Sequence, residues 1–282
     1  MAWNLEGGVA VVTGAGSGIG RAVAVRLARE KMSLAIADVD GVGLDETARL
    51  VGSSGGKIST HRVDVSDLSE VEAFAADVAR QHGRVTLLIN NAGVAMYGTI
   101  EELSIAEIDW LLRINFWGVV HGVKTFLPIL KRAPRAHIAN VSSIYGIISP
   151  AGQSAYCASK FAVRGFTEVL MHELEGTSVG VSCIHPGGIA TAIARRARIA
   201  EGVKDKEQRQ VAIAAFDRVA RLKPGVAGDT IVDGIKQGKA RILIGSDAIG
   251  IDRMQRLMPV RYWNIMKKRY ARVLENAKRS RP

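Results

Sequence analysis

The feature that most constrains the fold of this chain is an alternation of short apolar runs with segments of helical period. Runs such as VAVV and LLI are apolar at consecutive positions, which is typical of strands buried on both faces of a sheet. Strands that alternate with crossover helices form a parallel sheet covered on both sides. The sequence therefore predicts a doubly wound α/β domain with seven parallel strands, at residues 9–15, 33–38, 57–64, 85–92, 136–143, 179–186 and 240–245.

The 282 residues are expected to form a single domain, because no repeat, low-complexity run or proline-rich linker divides them. We assign residues 1–251 to this domain, with an insertion at about 192–224, and residues 252–282 to a basic, amphipathic helical tail. Pro259 should separate the helix of the tail from a preceding one. The apolar residues of the tail recur at helical spacing, at Tyr262, Met266, Tyr270, Val273 and Ala277.

The net charge of +11 is concentrated in two segments. Residues 252–282 hold ten Lys and Arg against two acids, and residues 192–224 hold nine against four. A basic surplus is typical of proteins that bind nucleic acid or anionic membranes. No zinc-finger spacing or RNA-binding aromatic motif accompanies it, so no specific nucleic-acid partner is expected. The six histidines show no helical pair at metal-ligand spacing, which predicts no metal site.

The N-terminus and the cysteines predict a cytoplasmic location. The N-terminal stretch MAWNLEGG carries an acidic residue and no apolar core, unlike a signal peptide. No stretch reaches the ~18 uninterrupted apolar residues of a membrane span. Two cysteines, Cys157 and Cys183, provide no disulfide framework and fit a reducing compartment.

A glycine-rich turn, TGAGSGIG at residues 13–20, follows the first predicted strand. Gly14, Gly18 and Gly20 depart from strict G-x-G-x-x-G spacing. They still permit a tight turn and a close approach of the backbone to a pyrophosphate at a helix N-terminus, beside Ser17 and Ile19. The position before a helix predicts a dinucleotide site at the carboxyl ends of the strands. A glycine-rich turn without a ligand is the alternative.

Asp38 ends the second predicted strand. A carboxylate at this position can accept hydrogen bonds from the ribose hydroxyls of NAD and would repel a 2′-phosphate. Ser17 and Val39 occupy the positions where a compensating cation would be expected. The sequence therefore predicts NAD rather than NADP, while a capping role for Asp38 at the next helix is compatible with this assignment.

An ordered set of motifs carries a resemblance to a known family. The motifs are TGAGSGIG, Asp38, DV at 64–65, NNAG at 90–93, Asn115, NVSS at 140–143, YCASK at 156–160 and PGGIAT at 186–191. With these motifs in this order, residues 7–246 resemble the short-chain dehydrogenase/reductase family, in its NAD-preferring form with a Tyr-x-x-x-Lys active site. The resemblance implies a Rossmann fold, a nicotinamide cofactor and oxidoreductase activity.

The same resemblance implies which residues contact the cofactor. Asp64 and Val65 would hold the adenine. Asn90 and its neighbours Asn91, Ala92 and Gly93 would brace the central strands beside the cofactor. The nicotinamide end would be held by the segment of Pro186, Gly187, Ile189 and Thr191, together with Tyr156 and Lys160.

Tyr156 and Lys160 lie one helical turn apart, on one face. An unperturbed phenol has a pKa near ~10, which is too high for a good base at neutral pH. An ammonium ~5 Å away, at an effective dielectric of ~20, would favour the phenolate by about 3 kcal/mol and lower its pKa by about two units. An isolated pair with this spacing is more often a solvated lysine beside a half-buried tyrosine.

Four residues are predicted to perform catalysis. Tyr156 would be the acid/base, and Ser143 would stabilise charge on the substrate oxygen. Lys160 would lower the pKa of Tyr156 and, as the resemblance implies, bind the nicotinamide ribose. Asn115 would hold a water that relays protons from Lys160; an ordinary buried amide is the alternative.

Apolar segments around the expected pocket, at 93–98 and 143–149, favour a lipophilic secondary alcohol or ketone, sterol-like or long-chain. Ser143, Tyr145 and Tyr156 would contact this substrate, and the insertion would form the substrate loop. The resemblance implies a homodimer or homotetramer. A redox sensor without turnover and a nucleic-acid-binding or membrane-surface protein remain alternative functions. The tail would pack over the substrate entrance or lie on an anionic membrane, and packing is favoured.

Overall fold

The computed structural model describes residues 2–52, 56–204, 220–268 and 271. Its strands are β1 (Val9–Thr13), β2 (Ser33–Asp38), β3 (Ile58–Arg62), β4 (Leu87–Asn90), β5 (Met96–Tyr97), β6 (Ala136–Val141), β7 (Val179–Pro186), β8 (Arg198–Ile199) and β9 (Arg241–Ile244). Its helices are α1 (Gly18–Arg29), α2 (Gly41–Val51), α3 (Leu68–His82), α4 (Ile105–Leu112), α5 (Gly118–Leu130), α6 (Ser154–Glu173), α7 (Pro224–Lys236) and α8 (Ser246–Leu257).

Seven of these strands form one sheet in the order β3-β2-β1-β4-β6-β7-β9, and every neighbouring pair is parallel. The predicted seven-stranded, doubly wound sheet is therefore confirmed. Strands β2 and β3 lie on one side of β1, and strands β4, β6, β7 and β9 lie on the other side. The strand order reverses between β1 and β4, which is where such sheets bind ligands at their carboxyl ends. Strands β5 and β8 form a separate two-stranded sheet.

Two apolar layers hold the helices against the sheet. On one face, buried side chains of α1, α2 and α7 pack on the central strands. On the other face, α3, α5 and α6 do the same, with Phe74 and Phe126 in edge-to-face contact at 5.6 Å between ring centroids. The central strands β1 and β4 are buried at every position. Their continuous apolar runs follow from this double coverage.

Most predicted strands are one or two residues longer than the observed ones at their carboxyl ends. The first strand was predicted to reach residue 15, but it ends at Thr13 because Gly14 adopts a φ of +64°. Helix α2 begins at Gly41 because the side chain of Asp40 caps it by accepting from the N–H of Gly43 at 3.0 Å. The capping role considered for Asp38 thus belongs to Asp40.

Helices α4 and α5 are joined by a π-helical turn over Arg113–Trp117. In this turn the N–H of Gly118 donates to the carbonyl of Arg113, five residues earlier. The sequence pattern did not predict it, since one extra residue in a helix leaves the apolar period on either side intact. Such turns occur mostly as single insertions into α-helices, frequently at functional sites.

The C-terminal region packs on the sheet. Helix α8 runs through the predicted boundary between residues 251 and 252, and Asp252 is 6 % exposed within it. A helical stretch at 262–268 follows Pro259, as predicted. Its residues Tyr262 and Met266 pack against the apolar cluster that contains Ile144 and Ile148. This agrees with the packing alternative for the described part of the tail. The predicted positions 270, 273 and 277, and residues 205–219 of the insertion, lie outside the described residues.

Within the described ranges, no helix is both long enough and apolar enough to cross a membrane.

Candidate functional site

The glycine-rich loop between β1 and α1 lies at the point where the strand order reverses. Gly14 and Gly18 have φ of +64° and +56°, left-handed conformations that favour glycine. A Cβ on Gly20 would lie 2.1 Å from the carbonyl oxygen of Gly14, so a side chain there would displace the loop. Helix α1 begins after Ser17, whose side chain makes no capping hydrogen bond. Because the first N–H groups of a helix lack intrahelical partners, the turn around Ile19 fits a phosphate group.

Arg21 holds this loop against helix α2, a role that the sequence reasoning missed. Its guanidinium donates to the carbonyl of Gly16 at 2.5 Å, to that of Gly43 at 3.2 Å and to the hydroxyl of Thr47 at 3.0 Å. The Thr47 hydroxyl in turn donates to the carbonyl of Ala15 at 2.8 Å. The loop is therefore held in shape by the protein alone. An arginine in the first turns of a helix is too common in sequences to signal such a role.

Asp38 lies beside the loop, as predicted for a ribose-binding carboxylate. Its Oδ2 accepts from the N–H of Gly16 at 2.8 Å, and its Oδ1 accepts from the N–H of Asp40 at 3.0 Å. An ionised carboxylate has about four lone-pair sites, so both oxygens can still accept from a diol. Arg62, the strand partner of Asp38 on β3, is an exposed cation at the same edge. The prediction of NAD considered positions 17 and 39 and did not include this arginine.

The end of β4 is joined to the glycine-rich loop by hydrogen bonds. The hydroxyl of Thr13 accepts from the N–H groups of Asn91 and Ala92, at 3.0 and 3.1 Å. The side-chain amide of Asn91 donates to the carbonyls of Thr13 and Gly14, at 3.0 and 3.1 Å. These bonds fix the two strands on either side of the reversal point. Asn91 and Ala92 therefore have the bracing geometry that the motif implied, with Thr13 as a partner that the sequence did not reveal.

Gly93, which follows β4, lies close to two of the predicted catalytic residues, Asn115 and Lys160. A Cβ at this position would lie 3.2 Å from Oδ1 of Asn115 and 3.4 Å from Nζ of Lys160. The Asn115 side chain is fully buried and pairs with the backbone of Val94 in both directions, at 2.8 and 2.9 Å. Its amide also donates to the Ser159 hydroxyl at 3.1 Å. The side chain is thus committed to protein partners, which agrees with the buried-amide alternative and leaves the water-holding role as a prediction.

Ser143, Tyr156 and Lys160 converge at the carboxyl end of β6. Ser143 precedes the 3₁₀ turn Ile144–Gly146, and its side chain accepts from the N–H of Tyr145 at 3.1 Å. Tyr156, half-buried in the first turn of α6, is hydrogen-bonded to the Ser143 side chain. One turn later, Lys160 is 4 % exposed and donates to the carbonyl of Val141 at 3.1 Å. Its Nζ lies 5.8 Å from the centroid of the Tyr156 ring.

The pKa of Tyr156 is not lowered as predicted. Burial raises the pKa of Tyr156 to about 12, although the hydrogen bond from Ser143 acts in the opposite direction. Burial also lowers the pKa of Lys160 to about 8. Both groups lose solvation of their charged forms, and the ammonium is bonded to a carbonyl rather than to the phenol. The spacing of two residues along a helix carries no information on this desolvation.

The PGGIAT segment follows β7 and lies beside the start of α1. The N–H of Gly187 donates to the carbonyl of Ile244 at 3.0 Å, which continues the ladder beyond Pro186 at the end of β7. Ile189 is buried, and the methyl group of Thr191 would lie 3.2 Å from a Cβ on Gly18. The structure thus brings the predicted nicotinamide-binding segment against the glycine-rich loop.

Asp64 and Val65 follow β3 at the opposite end of the site. Asp64 Oδ1 accepts from the N–H and the hydroxyl of Ser66, at 2.9 and 2.7 Å. Val65 is buried, and its carbonyl oxygen lies 3.0 Å from Nδ1 of His121. The short turn that follows the strand is therefore ordered by its own polar groups, at the place where the motif implies an adenine contact.

Apolar side chains flank the phenol of Tyr156 on two sides. One cluster joins it to Val94, Met96 and Ala155. On the other side, the ring of Tyr145 meets that of Tyr156 edge-on, with 6.0 Å between centroids, and belongs to a cluster with Ile144 and Tyr262. The predicted substrate-contacting residues are thus adjacent to one another and to apolar surface.

Among the residues that the structure describes, no group of three or more His, Cys, Asp and Glu side chains is placed to hold a metal ion.

Comparisons with known proteins agree with this geometry. The family model described as short chain dehydrogenase matches residues 8–202. The SadH protein of Mycobacterium tuberculosis (strain ATCC 25618 / H37Rv) is 43% identical over 266 residues, which cover 93% of this chain and 95% of that protein. The estradiol 17-beta-dehydrogenase 11 of Homo sapiens is 28% identical over 269 residues, 94% of this chain and 84% of that protein. A crystal structure of a short chain dehydrogenase/reductase from Burkholderia phymatum in complex with NAD has a TM-score of 0.82 and 33% identity, and the match covers 91% of this chain and 95% of that one.

Proposed function

The chain belongs to the short-chain dehydrogenase family, and from that premise we propose that it transfers a hydride between NAD and a lipophilic secondary alcohol or ketone. The observation that carries the proposal is the convergence of Ser143, Tyr156 and Lys160 at the carboxyl end of β6, between two apolar clusters. These three groups supply a hydrogen-bond donor, a proton carrier and a cation next to one substrate-sized surface.

Each of the three residues has a separate role in the proposed reaction. Tyr156 takes the hydroxyl proton of an alcohol, or returns a proton to a ketone oxygen. Ser143 donates a hydrogen bond to the same oxygen and stabilises its developing charge. Lys160 holds positive charge near the phenol and would bind the nicotinamide ribose. A bound nicotinamide supplies the hydride acceptor or donor, and its oxidised form adds a positive charge that favours the phenolate.

Two features support a lipophilic substrate. The surfaces on both sides of the phenol are apolar, with Val94 and Met96 on one and Tyr145 and Ile144 on the other. A relative at 28% identity carries the name estradiol 17-beta-dehydrogenase 11, which specifies a steroid alcohol. An apolar wall favours such a substrate because each CH₂ removed from water contributes about 0.8 kcal/mol.

NAD is proposed as the cofactor because Asp38 lies against the glycine-rich loop at Gly16. A carboxylate there would repel the 2′-phosphate of NADP. A structural neighbour at 33% identity is described in complex with NAD. Arg62, which lies beside Asp38 in the sheet, is the group that would oppose this preference.

A homodimer or homotetramer is proposed from apolar side chains exposed near the two central helices. Trp117 is 49% exposed at the start of α5, and Phe161 and Val169 are 38% and 56% exposed on α6. Such a patch is typical of an interface. Phe126 of α5, by contrast, is 1% exposed and belongs to the core.

A peripheral membrane contact is a second proposal for the C-terminal region. Leu257 and Val260 are 81% and 85% exposed, although Tyr262 nearby packs on the body. Exposed apolar residues between cations such as Arg253 and Arg261 suit an anionic bilayer surface. Co-sedimentation with anionic liposomes at low and physiological salt tests it, with a variant truncated after Met258 as the control. Equal sedimentation of both proteins would refute the contact.

A substrate panel tests the main proposal. Long-chain and steroid alcohols, a sugar and a hydroxy acid are offered with NAD and with NADP, and nicotinamide absorbance is followed. Turnover of the apolar alcohols with NAD is expected. Preference for the sugar or the hydroxy acid would refute the lipophilic assignment. Dinucleotide binding without turnover of any compound would favour the redox-sensor alternative.

A further inference from the structure

His185, near the end of β7, lies directly behind the proposed site. Its side chain is fully buried, and its Nδ1 lies 3.0 Å from the backbone carbonyl oxygen of Ser143. A carbonyl oxygen can only accept a hydrogen bond, so Nδ1 must carry the proton. Burial lowers the pKa of His185 to about 4, which keeps the imidazole neutral at physiological pH. The other ring nitrogen, Nε2, is therefore an acceptor.

Two buried polar atoms in this region lack a partner among the residues described. One is Nε2 of His185, an acceptor, and the other is Nε of Arg241, a donor. Cys183 pairs with Arg241 and His185 pairs with Leu243 in the parallel ladder between β7 and β9. Residues two apart on a strand, and their partners in the ladder, share one face of the sheet. The unpaired donor and the unpaired acceptor thus lie on the same face of neighbouring strands.

Arg241 is itself fixed by charged groups from two elements. Its Nη2 donates to Asp252 of α8 at 2.6 Å, and its Nη1 lies 3.6 Å from Glu168 of α6. Arg164 of α6 donates to the carbonyl of Gly146 at 3.3 Å, in the turn that follows the serine. Arg241, Arg164 and Asp252 are the charged groups that act on the His185 ring. The cluster connects the C-terminal helix to the turn that carries Ser143.

We infer that His185 is a positioning residue for Ser143, and that a buried water joins its Nε2 to Nε of Arg241. The inference rests on the proposed function, in which the Ser143 hydroxyl must point at the substrate oxygen. The Ser143 backbone is extended, with φ of −167° and ψ of 168°, and its hydroxyl is aligned between Tyr145 N–H and the phenol of Tyr156. The imidazole N–H holds the carbonyl of the same residue, and the water holds the imidazole. A water with two such partners satisfies both unpaired atoms at little free-energy cost.

Three substitutions at one position separate the positioning role from simple packing. His185→Asn retains an N–H donor near the position of Nδ1, whereas His185→Gln places its amide near Nε2, and His185→Leu retains volume alone. We expect kcat to fall by roughly tenfold in His185→Leu and His185→Gln, equivalent to about 1.4 kcal/mol in the transition state. His185→Asn should recover most of that loss. The KM for NAD should be unchanged in all three, because the imidazole contacts the serine and not the dinucleotide loop.

Equal kcat in the Asn, Gln and Leu variants would overturn the inference. Two measurements on the parent protein decide it without reference to turnover. The ¹⁵N spectrum of labelled histidine should show His185 protonated on Nδ1 at neutral pH, and a crystal structure should show a water between Nε2 and Arg241. Protonation on Nε2, or direct contact of the two side chains without water, would overturn it. If the parent turns over no substrate, the proposed function fails, while these two measurements still decide whether His185 is held as inferred.

Discussion

Replacement of Lys160 by methionine should stabilise the protein at neutral pH while it destroys activity. Lys160 is 4 % exposed, and its ammonium has one carbonyl partner, that of Val141 at 3.1 Å. Burial lowers its pKa from 10.5 to about 8. One pKa unit corresponds to about 1.4 kcal/mol, so the buried charge costs about 3 kcal/mol at pH 7. Methionine matches the apolar stem of the lysine as far as Cε, lacks the ammonium, and removes this cost.

The stability gain should depend on pH in a defined direction. Between pH 8 and 10.5 the folded lysine is neutral and the unfolded lysine is charged, so unfolding takes up a proton and the parent becomes more stable as pH rises. The variant has no such dependence, although it loses a hydrogen bond worth about 1 kcal/mol. The free energy of unfolding of Lys160→Met should therefore exceed that of the parent by about 2 kcal/mol at pH 7 and be about 1 kcal/mol lower above pH 10.5.

Urea unfolding without dinucleotide, at fixed protein concentration and at pH 7, 9 and 10.5, measures this difference. Subtraction of the parent curve removes the titration of every other group. Lys124→Met, at an exposed position on α5, is the matched control and should change stability by no more than about 0.5 kcal/mol at any pH. A difference between Lys160→Met and the parent that is the same at all three pH values would refute the reasoning, because burial of a charge could not then be its cause.

Three further predictions concern the reaction. Tyr156→Phe keeps the ring and loses the proton carrier, so turnover should fall by more than about a hundredfold. The Kd for NAD should be almost unchanged. Retention of a tenth of the activity would exclude the tyrosine as acid/base. The value of kcat/KM should be higher with NAD than with NADP. The double variant Asp38→Ser with Val39→Arg should reduce this preference, because it removes a repulsion and adds a partner for the phosphate. A parent that prefers NADP would contradict the role of the carboxylate. The hydroxyl of Tyr262 accepts from the N–H of Ser149 at 3.2 Å. Tyr262→Phe should therefore raise the KM for a bulky alcohol by about threefold to tenfold and leave the KM for ethanol or propan-2-ol unchanged. An equal rise in KM for the bulky and the small alcohols would indicate a general loss of structure.

Periodicity and motif order were enough to predict the sheet and the cluster around Tyr156. The strands are apolar because both faces are covered, and this property is local enough to be read from single runs such as that of β1. The motifs lie close together in space because they follow parallel strands, whose carboxyl ends are all at the same edge of the sheet. What the sequence could not show were contacts set by packing: Arg21 on the carbonyls of the glycine-rich loop, and His185 behind Ser143. Neither residue belongs to a recognisable spacing.

The pKa values of the catalytic pair show a second limit. Spacing on a helix gave the distance between Tyr156 and Lys160 but not their burial. Desolvation, which depends on every element packed around the pair, raises the pKa of the phenol and lowers that of the ammonium. In this pair desolvation outweighs the Coulombic attraction that the spacing predicts.

The π-helical turn at Arg113–Trp117 has a consequence for how this protein can tolerate insertions and deletions. The turn stores one residue more than a regular helix needs. Loss of one of its five residues would return this segment to a regular helix and leave the buried faces of α4 and α5 toward the same neighbours, because the wide turn absorbs the extra residue. The local effect would fall on Asn115, whose side chain would move away from Val94 and Ser159. A single-residue deletion here should thus preserve the packing of the two helices and disturb the site, whereas a deletion within α5 itself would rotate part of that helix by about 100° and turn its buried face toward water.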